Sequence, residues 1–359
     1  MARIDVLLPV KNGVQFLAPS LDSLIAQSFT DWRVLVLDHG STDGSRELAA
    51  RYRARDPRVE LHSFPDAKGL AGLLNRGLDI ADCEYVLRHD ADDVCFPDRM
   101  AALLDAFASR EECVALGGNT DVIDGTGVHV GAVSMPTGAA RLSAASLFRT
   151  PIVHPTAMLR FDALRRLGAR YGRDFLKALP PERSMEVDGL AEDYFLFGQL
   201  AMLGRCDNLP KKLILYRRHG ASVSATKYKD QMAMSLRIAR FLTRSLCAMH
   251  ALPWFDPAPF ANHGGEPFDV DGRIDFDADF ERMARAVRRA FGSSAGVERE
   301  LTFRRVVANR RGARMLWRYH RFRAAGEPER VEWGTVKAFL LRHLPGRGLI
   351  RIASEAAEA

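Results

Sequence analysis

Apolar and polar positions in the first part of the chain fall into two alternating periods. Short apolar runs, Ile4-Asp5-Val6-Leu7-Leu8-Pro9 and Trp32-Arg33-Val34-Leu35-Val36-Leu37-Asp38, read as buried strands. Between them Leu17, Leu21, Leu24 and Ile25 recur at helical spacing, and the turn Gly40-Ser41-Thr42-Asp43-Gly44 opens a second helix carrying Leu48 and Tyr52. A third strand, Val59-Glu60-Leu61-His62, leads to a helix from Leu70 to Ile80, and Tyr85-Val86-Leu87 runs on to His89-Asp90-Ala91-Asp92-Asp93. Strands and helices alternating in this way predict βαβ units, a parallel sheet and an α/β fold. Ligands of such sheets bind beyond the carboxyl ends of the strands. Pro9, Asp38 and Asp90 each fall at such an end, so three strands deliver polar residues to one crevice.

Further along, the pattern is less regular. Residues 113–224 predict short strands, a loop at Pro180-Pro181 and a helix after Glu192-Asp193. The stretch 253–272 carries Pro253, Pro257, Pro259, Gly264, Gly265, Pro267 and Gly272 and reads as a loop or linker. Beyond it Phe280, Met283, Val287 and Phe291 lie at helical spacing, as do Trp333, Val336, Leu340 and Leu344. The expected organisation is therefore a catalytic α/β domain over 1–225 and a mainly helical, basic extension over 226–359.

Composition narrows the class without naming it. With 47% hydrophobic and 27% charged residues, the chain is globular rather than disordered or collagen-like. No apolar stretch approaches the ~18 residues of a membrane span, and the first strand is too interrupted for a signal peptide. Five scattered cysteines (Cys83, Cys95, Cys113, Cys206, Cys247) without a C-x-x-C pair fit reduced thiols rather than disulfides or a zinc site. A cytoplasmic location, or one on the inner face of the cell membrane, is expected. Charge is uneven: residues 299–351 hold 14 Arg and Lys against 4 Glu, within a chain whose net charge is only +6. A basic end on an acidic body invites a polyanion such as anionic lipid, nucleic acid or an acidic partner. A solvated helical face explains the same residues equally well.

Asp90-Ala91-Asp92-Asp93 holds three carboxylates in four residues, which a fold keeps together only where a cation or solvent screens them. Hard oxygen ligands suit Mg²⁺ or Mn²⁺. Pro97-Asp98 behind the cluster reads as a helix start, which accounts for Asp98 but not for Asp90. Asp38 at its strand end can accept from a ribose hydroxyl or a base edge, while Ser41 to Asp43 serve the turn. Neither G-x-G-x-x-G nor G-x-x-x-x-G-K-[ST] occurs, so a nicotinamide enzyme or a P-loop NTPase finds no support. Glu192-Asp193 reads, on its own, as a pair of acids at a helix amino terminus.

Taken in order, these segments resemble the family 2 glycosyltransferases. Ile4 to Asn12 with Leu21 to Phe29 is similar to the family's opening, and Val34 to Gly44 to its second-strand motif. Tyr85 to Asp93 with Pro97-Asp98-Arg99 resembles its metal-binding D-x-D region. Ala191-Glu192-Asp193-Tyr194 resembles its later E-D pair, and Tyr216 to Ser224 its closing segment. The resemblance covers about residues 3–225. It implies a GT-A fold, a Rossmann-like nucleotide-diphospho-sugar transferase, acting with inversion in surface polysaccharide synthesis. By position, Pro9, Val10, Asp38 and Asn75 would hold the nucleoside of a UDP-sugar, and Asp90 and Asp92 the Mn²⁺ or Mg²⁺ bridging the donor diphosphate. Asp193 would be the general base. His219 would meet the metal or a phosphate oxygen, or else bond a backbone carbonyl, and His154-Pro155-Thr156 lies near the acceptor. His39 stands where the family has a second acid that helps read the nucleobase, which leaves other nucleotides open. The implied partners are a nucleotide-sugar donor and a glycan or lipid-linked acceptor, with peripheral membrane contact through the basic extension and no nucleic acid. The rival readings are a non-catalytic nucleotide-sugar-binding or assembly subunit, and a nucleotidyltransferase. The second of these would need a Gly- and Lys/Arg-rich loop that Pro9 to Gly13 does not offer.

Overall fold

The structure is a computed structural model that describes residues 2–220, 227–263, 266–267, 269–271, 276–308, 312–324, 330–342 and 351–353. Its first part runs β1 (Ile4–Val10), α1 (Val14–Ile25), β2 (Trp32–Asp38), α2 (Ser45–Arg55), β3 (Val59–Ser63), α3 (Gly69–Ile80) and β4 (Tyr85–Arg88). These strands are parallel in the order β3-β2-β1-β4, with Val10 opposite Asp38. Every residue of β1 is buried because the sheet is covered on both faces. Ile4, Val6, Leu8 and Val10 join a core with Leu17 and Leu21 of α1, while Leu7 faces Leu74 and Leu78 of α3 on the other side. Asp5, fully buried, is satisfied by two bonds from Arg33 (2.9 and 2.7 Å) and by the Asp82 N–H at 2.8 Å.

The middle of the chain adds β5 (Val94–Cys95), α4 (Arg99–Ala108), β6 (Ala115–Asp124), β7 (His129–Val133) and α5 (Ala139–Ser146). After them come β8 (Met158–Arg160), α6 (Phe161–Arg166), α7 (Glu192–Met202) and β9 (Cys206–Arg218). The sheet grows to nine strands, continuing from β4 through β8, β6 and β9 to β5, with β7 beside β6. β6 and β9, of 10 and 13 residues, correct the expectation of short strands. Their pairing slips where Gly118 stands opposite Leu209 but Asn119 opposite Lys212, so Pro210 falls in an irregularity that spares it a ladder bond. A Cβ on Gly118 would come within 2.7 Å of Leu213, which explains a glycine inside a long strand.

The loop between α6 and α7 returns over α3. Gly172 makes that close approach, with φ +70° and its Cα hydrogen facing the carbonyl of Val187, where a Cβ would collide with backbone. Gly172→Ala is therefore expected to cost more than ~2 kcal/mol in urea unfolding, from backbone strain plus a clash that cannot relax. An unchanged midpoint would show that the loop lies elsewhere.

The carboxyl-terminal helices are α8 (Tyr228–Met249), α9 (Phe276–Phe291), α10 (Ala295–Val307), α11 (Gly312–Ala324) and α12 (Arg330–Arg342). They pack on the sheet domain. One apolar core joins Phe148, Tyr194 and Phe195 to Leu242 of α8, Met283 of α9 and Leu301 of α10. The stretch expected to be a linker is part of that core, with Phe255, Ala258 and Phe260 buried; Gly264, Gly265 and Gly272 lie outside the described residues. Leu344 and the segment Ala221 to Ser224 also lie outside them. Several basic residues of the extension point inward rather than to solvent. Glu300 takes Arg304 at 2.7 Å and Arg141 of α5 at 3.4 Å, and Glu332 takes Arg141 and Arg299, each at 2.9 Å. Arg304 also donates to the Phe260 carbonyl and to Asn262 Oδ1 (3.0 and 2.6 Å), tying the Pro-rich stretch to α10. Burying such a network favours one arrangement over others more than it adds net stability. Among the described residues, no helix is long and apolar enough to cross a membrane.

Candidate active site

β4 ends at Arg88, and the next residues form an acidic loop before β5. Asp90, Asp92 and Asp93 each offer a carboxylate oxygen, and these oxygens lie within 4.8 Å of one another. Strand β9 clamps the loop from one side. Its Arg217 N–H donates to Asp93 Oδ1 at 2.8 Å, its guanidinium donates to the Asp92 carbonyl at 2.9 Å, and the Arg217 head lies over the Phe16 ring. From beneath, Ser20 Oγ donates to the Asp90 carbonyl (3.1 Å), and fully buried Arg99 donates to the carbonyls of Arg88 and Pro155 (2.7 and 2.6 Å). His89 is also buried, between Ser20 Oγ at 3.0 Å and Arg99 at 3.1 Å. The loop is thus held by bonds both to its backbone and to the Asp93 carboxylate, with the three carboxylates close together.

That arrangement is electrostatically unfavourable as it stands. Burial and the charges of Asp90 and Asp92 raise the Asp93 carboxyl well above its ordinary range, and burial with the Asp90 charge raises Asp92. Asp93 Oδ2 is buried without a hydrogen-bond donor. An unpartnered carboxylate oxygen facing two more carboxylates is a set that a hard divalent cation satisfies, so the residues fit Mg²⁺ or Mn²⁺. The spacing argument picked Asp90 and Asp92; Asp93 joins them because the loop turns back along β9, which no residue period signals. His219 Nε2 stands 3.0 Å from Asp92 Oδ2, with its ring against Phe16.

Arg88 escaped the sequence reading. It is fully buried, pairs with Asp90 Oδ1 at 2.5 Å and donates to the His89 carbonyl. An arginine ending a buried strand just before an acidic cluster is the signal that was there to be read. Its charge also reaches the second acidic pair. Ala191, in the left-handed region at φ 63°, sets Glu192 and Asp193 on the first turn of α7. Burial and the neighbouring Asp193 charge push Glu192 up to about 8, while burial pushes Asp193 up to only about 6, Arg88 restraining both. Burial thus holds both acids above the ordinary carboxylate range, Glu192 further than Asp193. Burial and Arg88 keep His154 uncharged, so its 3.9 Å approach to Glu192 is not an ion pair; its Nε2 lies 3.3 Å from the Tyr171 hydroxyl.

The remaining predicted residues lie at the ends of β1 and β2. Pro9 and Val10 are buried there, and the Val10 carbonyl accepts from the His39 N–H at 2.9 Å. Asp38 is only 1% exposed and accepts from the N–H groups of Gly40 (3.2 Å) and Ser41 (3.1 Å). Asp38 therefore also helps hold the turn, together with Ser41 to Asp43. Asn75 donates its amide to the Tyr171 carbonyl (3.0 Å) and accepts from the Tyr171 N–H (3.1 Å). Asn75 fixes the start of the Gly172 loop. His39 Nε2 is 2.8 Å from the Ala67 carbonyl, which can only accept; Nε2 carries the proton and Nδ1 is left as an acceptor.

Comparison with known proteins bears on this arrangement. Residues 5–168 match the family described as glycosyl transferase family 2. That span holds Pro9, Asp38, Asn75 and the acidic loop, whereas Asp193 and His219 lie beyond it. EpsE of Bacillus subtilis, assigned as a glycosyltransferase, is 30% identical over 166 residues, 46% of this chain and 59% of that one. The chain thus spans little more than half of that relative. An uncharacterized glycosyltransferase of Haemophilus influenzae is 24% identical over 245 residues, 66% of this chain and 72% of its own. Among solved structures, S. aureus TarS 1-349 in complex with UDP-GlcNAc superposes with a TM-score of 0.51 at 17% identity, covering 94% of this chain and 89% of that one. That last likeness is one of fold.

Proposed function

We propose that this chain, whose residues 5–168 match the family 2 glycosyltransferases, transfers a sugar from a nucleotide-diphosphate donor to an acceptor hydroxyl, with inversion. The observation that carries this reading is the division of labour between two acidic sites in one crevice. One is a cluster of three carboxylates with an unsatisfied oxygen, and the other the Glu192–Asp193 pair on the first turn of α7, which the Arg88 charge links to Asp90.

The donor diphosphate would lie over the acidic loop, with Asp90, Asp92 and Asp93 holding a divalent cation and His219 beside Asp92. Such a cation, when bound, neutralises the charge that grows on the leaving diphosphate. Val10 and Pro9 would form the floor under the nucleoside, and His39 Nδ1 would accept from a base N–H, as a carboxylate in that position would. Asp193 would take the proton of the attacking hydroxyl. A single displacement at an oxocarbenium-like carbon needs only this one base, whereas a hydrolase of the two-carboxylate kind needs a second acting residue. Glu192, neutral, would donate toward the acceptor or the sugar rather than compete for the proton. The acceptor we infer is a glycan, free or lipid-linked, of the surface-polysaccharide kind, used on the cytoplasmic side. A non-catalytic binding subunit would have no need of an ionised Asp193 beside the acidic loop.

Slow donor hydrolysis tests this without knowledge of the acceptor. A panel of nucleotide sugars, UDP- and GDP-linked, is expected to yield one donor hydrolysed in the presence of Mn²⁺ and not in its absence. Binding of no donor in the panel would overturn the reading.

A further inference from the structure

We propose that the outer face of α11 and α12 docks on the anionic surface of a lipid bilayer. None of its residues belongs to the crevice, so the inference stands apart from the reaction assigned to that site. It starts from the sequence of α11, GARMLWRYHRFRA, which holds four arginines and no acid. Met315, Tyr319 and Phe322, at helical spacing, are buried against Phe303 and Val336 and use up the apolar stripe that packing requires. Leu316 and Trp317 are left outside that stripe, 43% and 57% exposed, and Trp333 of α12 is 45% exposed. Trp333 stacks on Tyr319 at 5.5 Å, and Tyr319 is one turn from Leu316, which sets Trp333 and Leu316 on one side of the helix pair, with Trp317 about 100° further round α11. Of the exposed large hydrophobic side chains among the described residues, half are here.

Among the described residues of α11 and α12 the exposed charges are of one sign, Asp277 of α9 lying 3.9 Å from the half-buried Arg318. Arg314, Trp317 and Arg321 follow one another at i, i+3 and i+7, with the Arg321 head 5.0 Å from the Trp317 ring, and Arg323 and Lys337 are exposed nearby. Arg318 is turned inward to the Arg305 carbonyl. The acid that α12 brings, Glu332, is fully buried between Arg141 and Arg299 and does nothing to neutralise the outer face.

Two indoles and a leucine among arginines match the water–hydrocarbon boundary of a bilayer. Indoles settle at headgroup depth, leucine reaches the acyl chains, and guanidinium groups meet phosphates. A second copy of this chain would bring like charges together. A nucleic acid would use the charge, yet it would gain nothing from Leu316 and would find one ring face covered on each indole. A lipid surface uses every exposed residue of the patch.

The test is flotation of the full chain with phosphatidylcholine vesicles, with or without phosphatidylglycerol, alongside binding of a single-stranded oligonucleotide. Partition is expected to rise at least about tenfold with phosphatidylglycerol, to fall with salt, and to be accompanied by quenching of tryptophan emission by brominated acyl chains. The double variant Leu316→Ser/Trp317→Ala is expected to lose most of that partition while keeping its melting temperature and donor hydrolysis. Arg314→Glu/Arg321→Glu, which alters only exposed side chains, serves as a second variant and should lose it too. Absence of partition, partition without quenching, or partition unchanged in both variants would overturn the proposal. So would oligonucleotide binding tighter than vesicle binding. Failure of the wild-type chain to hydrolyse any donor would count against the transferase reading and leave the vesicle result standing.

Discussion

Asp193→Asn is expected to lower sugar transfer by ~10³-fold or more while donor affinity changes little, since a general base in this position contributes on the order of 10²–10⁴. The asparagine keeps the shape and the first-turn position on α7 but cannot take the acceptor proton. Glu192→Gln should be far milder, within about tenfold, because Glu192 is pushed up to about 8 and is already neutral at pH 7. The pair of variants thus asks which acid holds the negative charge. The pH profile gives the sign independently. A base must be ionised, so turnover should fall as pH drops through the Asp193 value of about 6 and stay level above it until Glu192 loses its proton at about 8. A cation bound near Asp90 offsets the negative charge that raises Asp193, so in the loaded enzyme the limb should lie at or below that pH. In Asp193→Asn, whatever activity survives should lose the limb. Full activity in Asp193→Asn together with loss in Glu192→Gln would reverse the two roles.

What could be read from the chain follows from how local each signal is. β1 through β4 were legible because a strand buried on both faces reads as an unbroken apolar run, and Leu7 and Leu35 say so without any partner in view. β6 and β9 were not, because each makes sense only beside the other. Gly118 looks like a break until Leu213 is seen filling the space where its Cβ would be, and Pro210 looks like a stop until the ladder is seen to slip around it. The site divides in the same way. Asp90 and Asp92 announce themselves by spacing, while Asp93 becomes a partner only through the Arg217 N–H, 124 residues away. Asp38 and Asn75 carry a structural duty that spacing does not announce. Polar residues at the mouth of a crevice invite a ligand on paper, but a carboxylate or an amide also satisfies nearby backbone, and here Gly40, Ser41 and Tyr171 have first claim. The Pro-rich stretch is a loop, as its prolines announce, but not a free linker: proline fixes the backbone without exposing it, and Phe260, whose N–H bonds back to the Pro257 carbonyl, is buried.

Asp93→Asn should change stability and cation binding in opposite directions. In the metal-free chain the native carboxyl is buried beside Asp90 and Asp92 with one oxygen unpartnered, a repulsive arrangement that raises its pKa. An asparagine can still accept the Arg217 N–H on Oδ1 and turns an NH₂ toward the two remaining acids. Repulsion is replaced by donation, and the metal-free variant should melt above the wild type. The same change removes an anionic ligand from a site built of hard oxygens, so its response to Mn²⁺ should vanish. For the wild type, Mn²⁺ at 100 times its Kd adds about 2.7 kcal/mol of stability by mass action. Asp92→Ala should likewise abolish the Mn²⁺ response and cost more than ~100-fold in transfer, since even outer partners of metal ligands are worth 10–100-fold. Unlike Asp93→Asn, it leaves His219 without its carboxylate and gains no new donor, so its metal-free melting temperature should not rise. Thermal melts of the three proteins, each with and without Mn²⁺, separate a cation site from an acid cluster that merely decorates a helix entrance. In the second case both variants would keep whatever Mn²⁺ response the wild type has, and Asp93→Asn, robbed of nothing but a charge, would change melting and leave transfer intact.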